Sequence, residues 1–174
     1  EEEVNEPLIS VSQRPLVAIA IVRFAPVKQL ESMVAIWEQF YKNHPKWELH
    51  LYGSIGNEYY QKILNLVQEK QLESTILFKG QTNEVSKVLQ SARVLLMTSI
   101  QECFPMVILE ANAVGVPVVS FDCPTGPRNI IHEAKDGFLI PVGDQNAFVD
   151  RLEQLSNDTL LLDTLGNNAK QNAS

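Results

Sequence analysis

The chain has 174 residues, of which 45% are hydrophobic and 20% charged, with a net charge of −7. This length fits one domain and buries enough surface to fold without a disulfide or metal staple. The acidic balance argues against a nucleic-acid-binding face, which would need a basic surface for the phosphates. The longest apolar run, Leu16 to Val22, is far short of the about 20 residues of a transmembrane helix.

Residues 1–14 begin with Glu1, Glu2, Glu3 and Glu6 and carry Pro7, with Pro15 at their edge. They read as an acidic linker or disordered terminus ahead of one domain over residues 15–174. The first residue is Glu rather than Met, and no signal-peptide pattern follows, so the chain reads as a piece of something longer. Cys103 and Cys123 form no CxxC, and with only three histidines no zinc spacing occurs. Such cysteines point to a reducing cytosol and are expected to be small buried fillers.

From Leu16 onward, apolar runs alternate with amphipathic stretches. Leu16–Val22 (LVAIAIV) is apolar throughout, as a strand covered on both faces should be. Leu30, Met33, Val34, Trp37, Phe40 and Tyr41 then fall on one face of a helix. A strand over 47–52 ends at Gly53. Tyr60, Ile63, Leu64 and Val67 carry a helix over 58–71. A strand over 75–78, a short helix over 84–90 and a buried strand over 94–98 follow. A helix over 105–114, a strand over 116–121, a short strand over 137–140 and helices over 146–156 and 159–170 complete the chain. This rhythm predicts an α/β fold, a Rossmann-like open parallel sheet of about six strands with helices on both faces. In such sheets ligands bind beyond the carboxyl ends of the strands.

Three loops at those ends hold chemistry. Arg23 directly follows the first strand and Lys28 stands five residues on, a pair suited to a diphosphate or, equally, to a solvated surface. The loop after the fourth strand holds Glu102, then Pro105 as first helical residue, which leaves the amides of Met106 and Val107 free for an anion. Glu110 stands alone in the apolar helix MVILEANAV, where a carboxylate can accept hydrogen bonds from a vicinal diol. The third loop, DCPTGPRNII, offers further amides near Gly126 and Pro127, though such residues are usually plain turn chemistry. No DxD, GxGxxG, GxxxxGK[ST] or GxSxG occurs. His44, His50 and His132 have no catalytic context.

The stretch ECFPMVILE is Glu, seven residues, Glu, and closely resembles the EX7E motif of retaining GT-B glycosyltransferases, family 4 in particular. RFAPVK resembles that family's Arg-x4-Lys element and LHLYGS its strand-and-glycine element around Gly53. ILFKGQTNEVSKVLQSARVLLMTS, GVPVVSFDCPTGPRNII and DGFLIPVGD follow in the family's order, so the resemblance runs from about Leu16 to the end. It implies the C-terminal, nucleotide-sugar-binding half of a GT-B enzyme. Arg23 and Lys28 would hold the donor diphosphate and stabilise it as it leaves. Glu102 would contact the donor sugar and Glu110 the ribose. Phe104, Pro105, Met106 and Val107 would touch sugar and phosphate, and the strand end from Phe78 to Gln81, with Lys79 and Gly80, would face the base.

The resemblance further implies a UDP-sugar donor, no metal or other cofactor, and an acceptor glycan or lipid-linked glycan, in glycan, cell-wall or lipopolysaccharide-type biosynthesis. The partner would be an N-terminal acceptor-binding domain of the same polypeptide. The site would be cytoplasmic, with room for peripheral association of the full protein with the inner face of the membrane. This half alone would bind donor and turn over poorly or not at all. Departures from the family are Gln29 and Cys103 where glycine is usual, and Asn129 where Glu is frequent. A nucleotide-sugar epimerase on the same fold and a non-catalytic binding module stay open beside this reading.

Overall fold

The computed structural model describes residues 7–103 and 105–174. Its centre is a parallel sheet of six strands: β1 (Val17–Ile21), β2 (Glu48–Tyr52), β3 (Ile76–Gly80), β4 (Val94–Met97), β5 (Val118–Phe121) and β6 (Gly137–Ile140). The strand order is β3-β2-β1-β4-β5-β6, with every pair parallel. The helices are α1 (Leu30–Asn43), α2 (Glu58–Glu69), α3 (Val85–Leu89), α4 (Met106–Ala113), α5 (Pro127–Ile130), α6 (Gln145–Asn157) and α7 (Thr159–Ala173).

Because alternate side chains of a strand point to opposite faces, β1 feeds two cores. Ala18 and Ala20 pack with α1, α2 and α6, while Val17 and Ile19 pack with α3 and α4. A strand covered on both sides must be apolar throughout, which is why LVAIAIV does not alternate. In β2 only Leu49 and Leu51 are fully buried, and Glu48, His50 and Tyr52 between them are half-buried.

In α1 the buried face is Leu30, Met33, Val34, Ile36, Trp37 and Phe40. Tyr41 is half-buried, and Ile36 joins the core because α6 covers a second side of the helix. In α2 the buried face is turned by one position from the expected one. Tyr59 is buried with Ile63 and Val67, while Tyr60 and Leu64 are half-buried. The Tyr59 hydroxyl accepts from the Leu30 amide at 2.9 Å and donates to Glu31 at 2.6 Å, so it serves the first turn of α1.

The reading of residues 1–14 as a linker or disordered terminus is corrected for their second part; residues 1–6 lie outside the described residues. Val11–Gln13 form a 3-10 turn against α7, with Val11 buried. The Ser12 amide and hydroxyl both donate to Asp163, at 2.9 and 2.6 Å. Arg14 is only 2% exposed and donates to the carbonyls of Val114 (2.7 Å) and Ile9 (3.2 Å). It thereby caps the carboxyl end of α4, where the helix dipole favours a cation. Close by, α7 crosses the turn after α4 at two glycines. A Cβ on Gly166 would lie 2.6 Å from the Gly115 carbonyl, and one on Gly115 would lie 3.0 Å from the Lys170 stem. Among the described residues, no helix is long and apolar enough to cross a membrane.

Candidate functional site

The strand order places the switch point at β1. The chain leaves β1 for β2 and β3 on one side, then α3 returns it to β4 on the other. The two directions part beyond the carboxyl ends of β1 and β4, leaving a crevice. A hollow of about 250 Å³ lies there, lined by Ile21, Val22, Lys28, Met97, Thr98, Ser99, Glu102, Pro105, Met106 and Val107. A second, of about 280 Å³, adjoins it across Ile21 and Val22 and is lined by Arg23, Tyr52, Gly53, Ser54, Gln81 and Thr82. Each alone is below the about 300–1,000 Å³ of a small-molecule site, but the two meet at Ile21 and Val22 and together line the recess at the switch point.

Within the first hollow the Lys28 ammonium and the Glu102 carboxylate form an ion pair. Ser99, 5% exposed, donates to the same carboxylate oxygen, Oε1, at 2.8 Å. The Glu102 carbonyl accepts from the Thr125 hydroxyl at 2.5 Å. A Cβ on Gly126, which has φ +78°, would lie 2.8 Å from Pro105 and 3.3 Å from the Glu102 Cβ. The loop after β5 is thus pressed against the loop after β4, and only glycine allows that approach.

Lys28 is placed by β4 as well as by its own loop. Pro26–Lys28 form a 3-10 turn, and Gln29 follows in the left-handed region at φ 49°, ψ 49°. That conformation costs a non-glycine residue about 1 kcal/mol or more. The Thr98 hydroxyl offsets part of it by donating to the carbonyls of Lys28 (2.8 Å) and Gln29 (3.1 Å), and Ile100 donates its amide to Val27. The glycine usual after the lysine is therefore replaced by a residue that keeps the glycine-like backbone.

At α4, Pro105 stands one position earlier than expected, as the extended N-cap, and Met106 is the first helical residue. The Ile108 amide already donates to the Pro105 carbonyl. The Met106 and Val107 amides precede any intrahelical partner, and both residues line the hollow. Glu110 is half-buried one turn deeper and is not part of either wall. The Gly53 amide donates to the Gly80 carbonyl, which ties the ends of β2 and β3 together. Lys79 is exposed outside the second hollow, whose far rim is Gln81 and Thr82. Phe104 lies outside the described residues.

Cys123 is buried beside Glu102, and burial, then the charge of Glu102, pushes its thiol above the ordinary range. Cys103 is exposed, contrary to the expected buried filler. Thr98 and Ser99 line the hollow and hold its charged residues, and motif reading missed both. Their only sequence signal is a pair of hydroxyls ending an apolar strand.

The model of the family described as glycosyl transferases group 1 matches residues 5–172. The chain belongs to that family. This group 1 domain is 30% identical over 152 residues to a poly(ribitol-phosphate) alpha-N-acetylglucosaminyltransferase of Staphylococcus aureus, covering 87% of this chain and 30% of that protein. It is also 30% identical over 150 residues to an exopolysaccharide phosphotransferase of Streptomyces coelicolor, covering 86% of this chain and 16% of that one. A mutant of S. aureus TarM, solved with Fondaparinux, alpha-GlcNAc-glycerol and UDP, matches 99% of this chain with a TM-score of 0.87 and 28% identity. There the domain covers 34% of the TarM chain. The group 1 domain thus spans about a third or less of each relative, and its sheet is the Rossmann-like half of a GT-B fold.

Proposed function

We propose that this chain is the donor-binding half of a retaining glycosyltransferase that moves a sugar from a UDP-sugar to an acceptor hydroxyl. The carrying observation is the convergence of Lys28, Glu102 and the first residues of α4 in one hollow at the switch point, with Arg23 in the adjoining one. The named relatives, a poly(ribitol-phosphate) alpha-N-acetylglucosaminyltransferase and a structure holding UDP, support this choice of donor.

In this reading the diphosphate lies between Arg23, Lys28 and the Met106 and Val107 amides. The bond from the anomeric carbon to the β-phosphate oxygen breaks, and its electron pair stays on the phosphate. The acceptor oxygen bonds to the anomeric carbon on that same face, and its proton passes to the departing phosphate. Cations and amides aimed at the growing charge are typically worth about 2.7–4 kcal/mol per donor. The countercharge comes from these side chains and amides, and no metal or cofactor takes part. Glu102 accepts hydroxyl hydrogen bonds from the sugar and Glu110 from the ribose, while the end of β3 with Gln81 faces the base. The acceptor, a glycan or wall-polymer hydroxyl, is bound by a further domain of the same polypeptide, so the 174-residue chain binds donor with little turnover.

A thermal-shift panel of UDP, GDP, UDP-glucose, UDP-GlcNAc and GDP-mannose tests this, because a ligand raises stability in proportion to the logarithm of its concentration over Kd. Stabilisation by UDP and at least one UDP-sugar is expected. A flat panel refutes the proposal, and stabilisation by GDP compounds alone refutes the choice of base.

A further inference from the structure

The two oxygens of Glu102 are not equivalent. Lys28 and Ser99 both donate to Oε1, and no described side chain or amide donates to Oε2. Ser99 is 5% exposed, two residues beyond the end of β4, and so is buried beside the sheet. Lys28 instead ends the 3-10 turn after β1 and lines the hollow, where the ammonium on its four-carbon stem is free to turn to an entering anion.

We infer that Ser99 is a positioning residue for recognition of the donor sugar: it fixes the Glu102 carboxylate through Oε1 and leaves Oε2 turned to accept a sugar hydroxyl. This rests on the proposed role of Glu102. When the diphosphate draws the Lys28 ammonium away, Oε1 loses one of its two donors. The Ser99 hydroxyl is then the remaining tie that keeps the carboxylate from swinging toward solvent or toward the phosphates, where like charges repel. The Thr125 bond to the Glu102 carbonyl and the close contact at Gly126 hold the backbone, so the free torsions of the side chain are what Ser99 restrains. A rigid acid at a fixed reach favours donors with a hydroxyl at that distance, and so Ser99 contributes to sugar selectivity without touching the sugar.

The test is calorimetric titration of the 174-residue chain with UDP, UDP-glucose and UDP-GlcNAc. Ser99→Ala is expected to raise the Kd of the bound UDP-sugar about fivefold to tenfold, the size of one ordinary hydrogen bond because the serine acts only through the acid, and that of UDP less than twofold. Ser99→Thr, which keeps the hydroxyl, is expected to restore the wild-type ratio of the two. In a Glu102→Ala background the Ser99→Ala effect should vanish, since the serine acts through the acid. An unchanged ratio in a folded Ser99→Ala variant overturns the inference and leaves the donor site standing. Equal losses for UDP and UDP-sugar, or persistence of the effect without Glu102, also overturn it. Failure of the wild-type chain to bind any of the three ligands overturns both this inference and the donor-binding proposal.

Discussion

Replacing Lys28 with Met removes one charge from the proposed donor recess while keeping most of the side-chain volume. The Lys28 side chain is 19% exposed and that of Glu102 12%, so the pair is partly withdrawn from water. A unit pair at about 4 Å is worth about 4 kcal/mol at an effective dielectric of about 20, and solvent entering the open hollow reduces this. A hydrogen bond to a charged group contributes about 1.5–3 kcal/mol, which corresponds to about 10- to 150-fold in Kd. The variant also leaves Glu102 facing the diphosphate without its cation, so the loss for UDP belongs in that range or above it. Uridine carries no phosphate and should lose less than about threefold. Adding Glu102→Gln removes the repulsion and should recover part of the UDP affinity. Calorimetric titration of UDP and uridine against the three proteins reads all of this. Equal losses for UDP and uridine, or a UDP loss below threefold, would refute the placement of the diphosphate at Lys28.

Arg23→Ala should weaken UDP more than uridine, by several-fold rather than the full Lys28 effect, because Arg23 is exposed; parallel titrations check the difference. Glu110→Ala should cost about tenfold in UDP affinity and distinctly less in 2′-deoxy-UDP affinity, since the deoxy compound keeps only one of the two ribose hydroxyls assigned to the carboxylate. Tyr59→Phe should lower stability by about 1–3 kcal/mol in urea unfolding, because it leaves the Leu30 amide without its acceptor. Burial pushes the Glu31 carboxyl up, but the bonds from Tyr59, its own backbone and Lys62 outweigh that and hold it below its ordinary value. A depressed carboxyl stabilises the fold above its unfolded value and loses that contribution as pH falls through the folded one. The gap between wild type and Tyr59→Phe should therefore narrow on acidification from neutral pH, and a constant gap would count against the Glu31 link.

Periodicity carried most of the architecture. Leu16–Val22 declared a strand covered on both faces, and the gap between apolar runs declared the parallel crossovers. What periodicity does not contain is strand order. β4 pairs with the free side of β1, and only in that order do Thr98 and Ser99 meet Lys28 and Glu102. Local pattern also misjudged Arg14. A cation amid polar residues reads as linker, yet its burial is decided by Val114, a hundred positions away. In α2 the choice between Tyr59 and Tyr60 as the inner residue depended on the first turn of α1, which no helical wheel of α2 alone can weigh. The pair Arg23 and Lys28 was visible as two cations. Their separation into adjoining hollows was set by the Gly53–Gly80 tie on one side and the Thr98 hydroxyl on the other.

The helix that presents its first amides to the recess is restrained at both ends by contacts in which glycine matters. At its far end Gly115 and Gly166 let α7 ride directly on the backbone, and at its near end Gly126 lets Pro105 close in. A beam fixed at both supports cannot tilt without tearing one of them. Evolutionary drift along α4 is therefore expected to fall on its open flank, at Met106, Leu109 and Ala113. A new side chain at any of the three abutments would reach the chemistry as a misaimed helix rather than as a merely weakened fold.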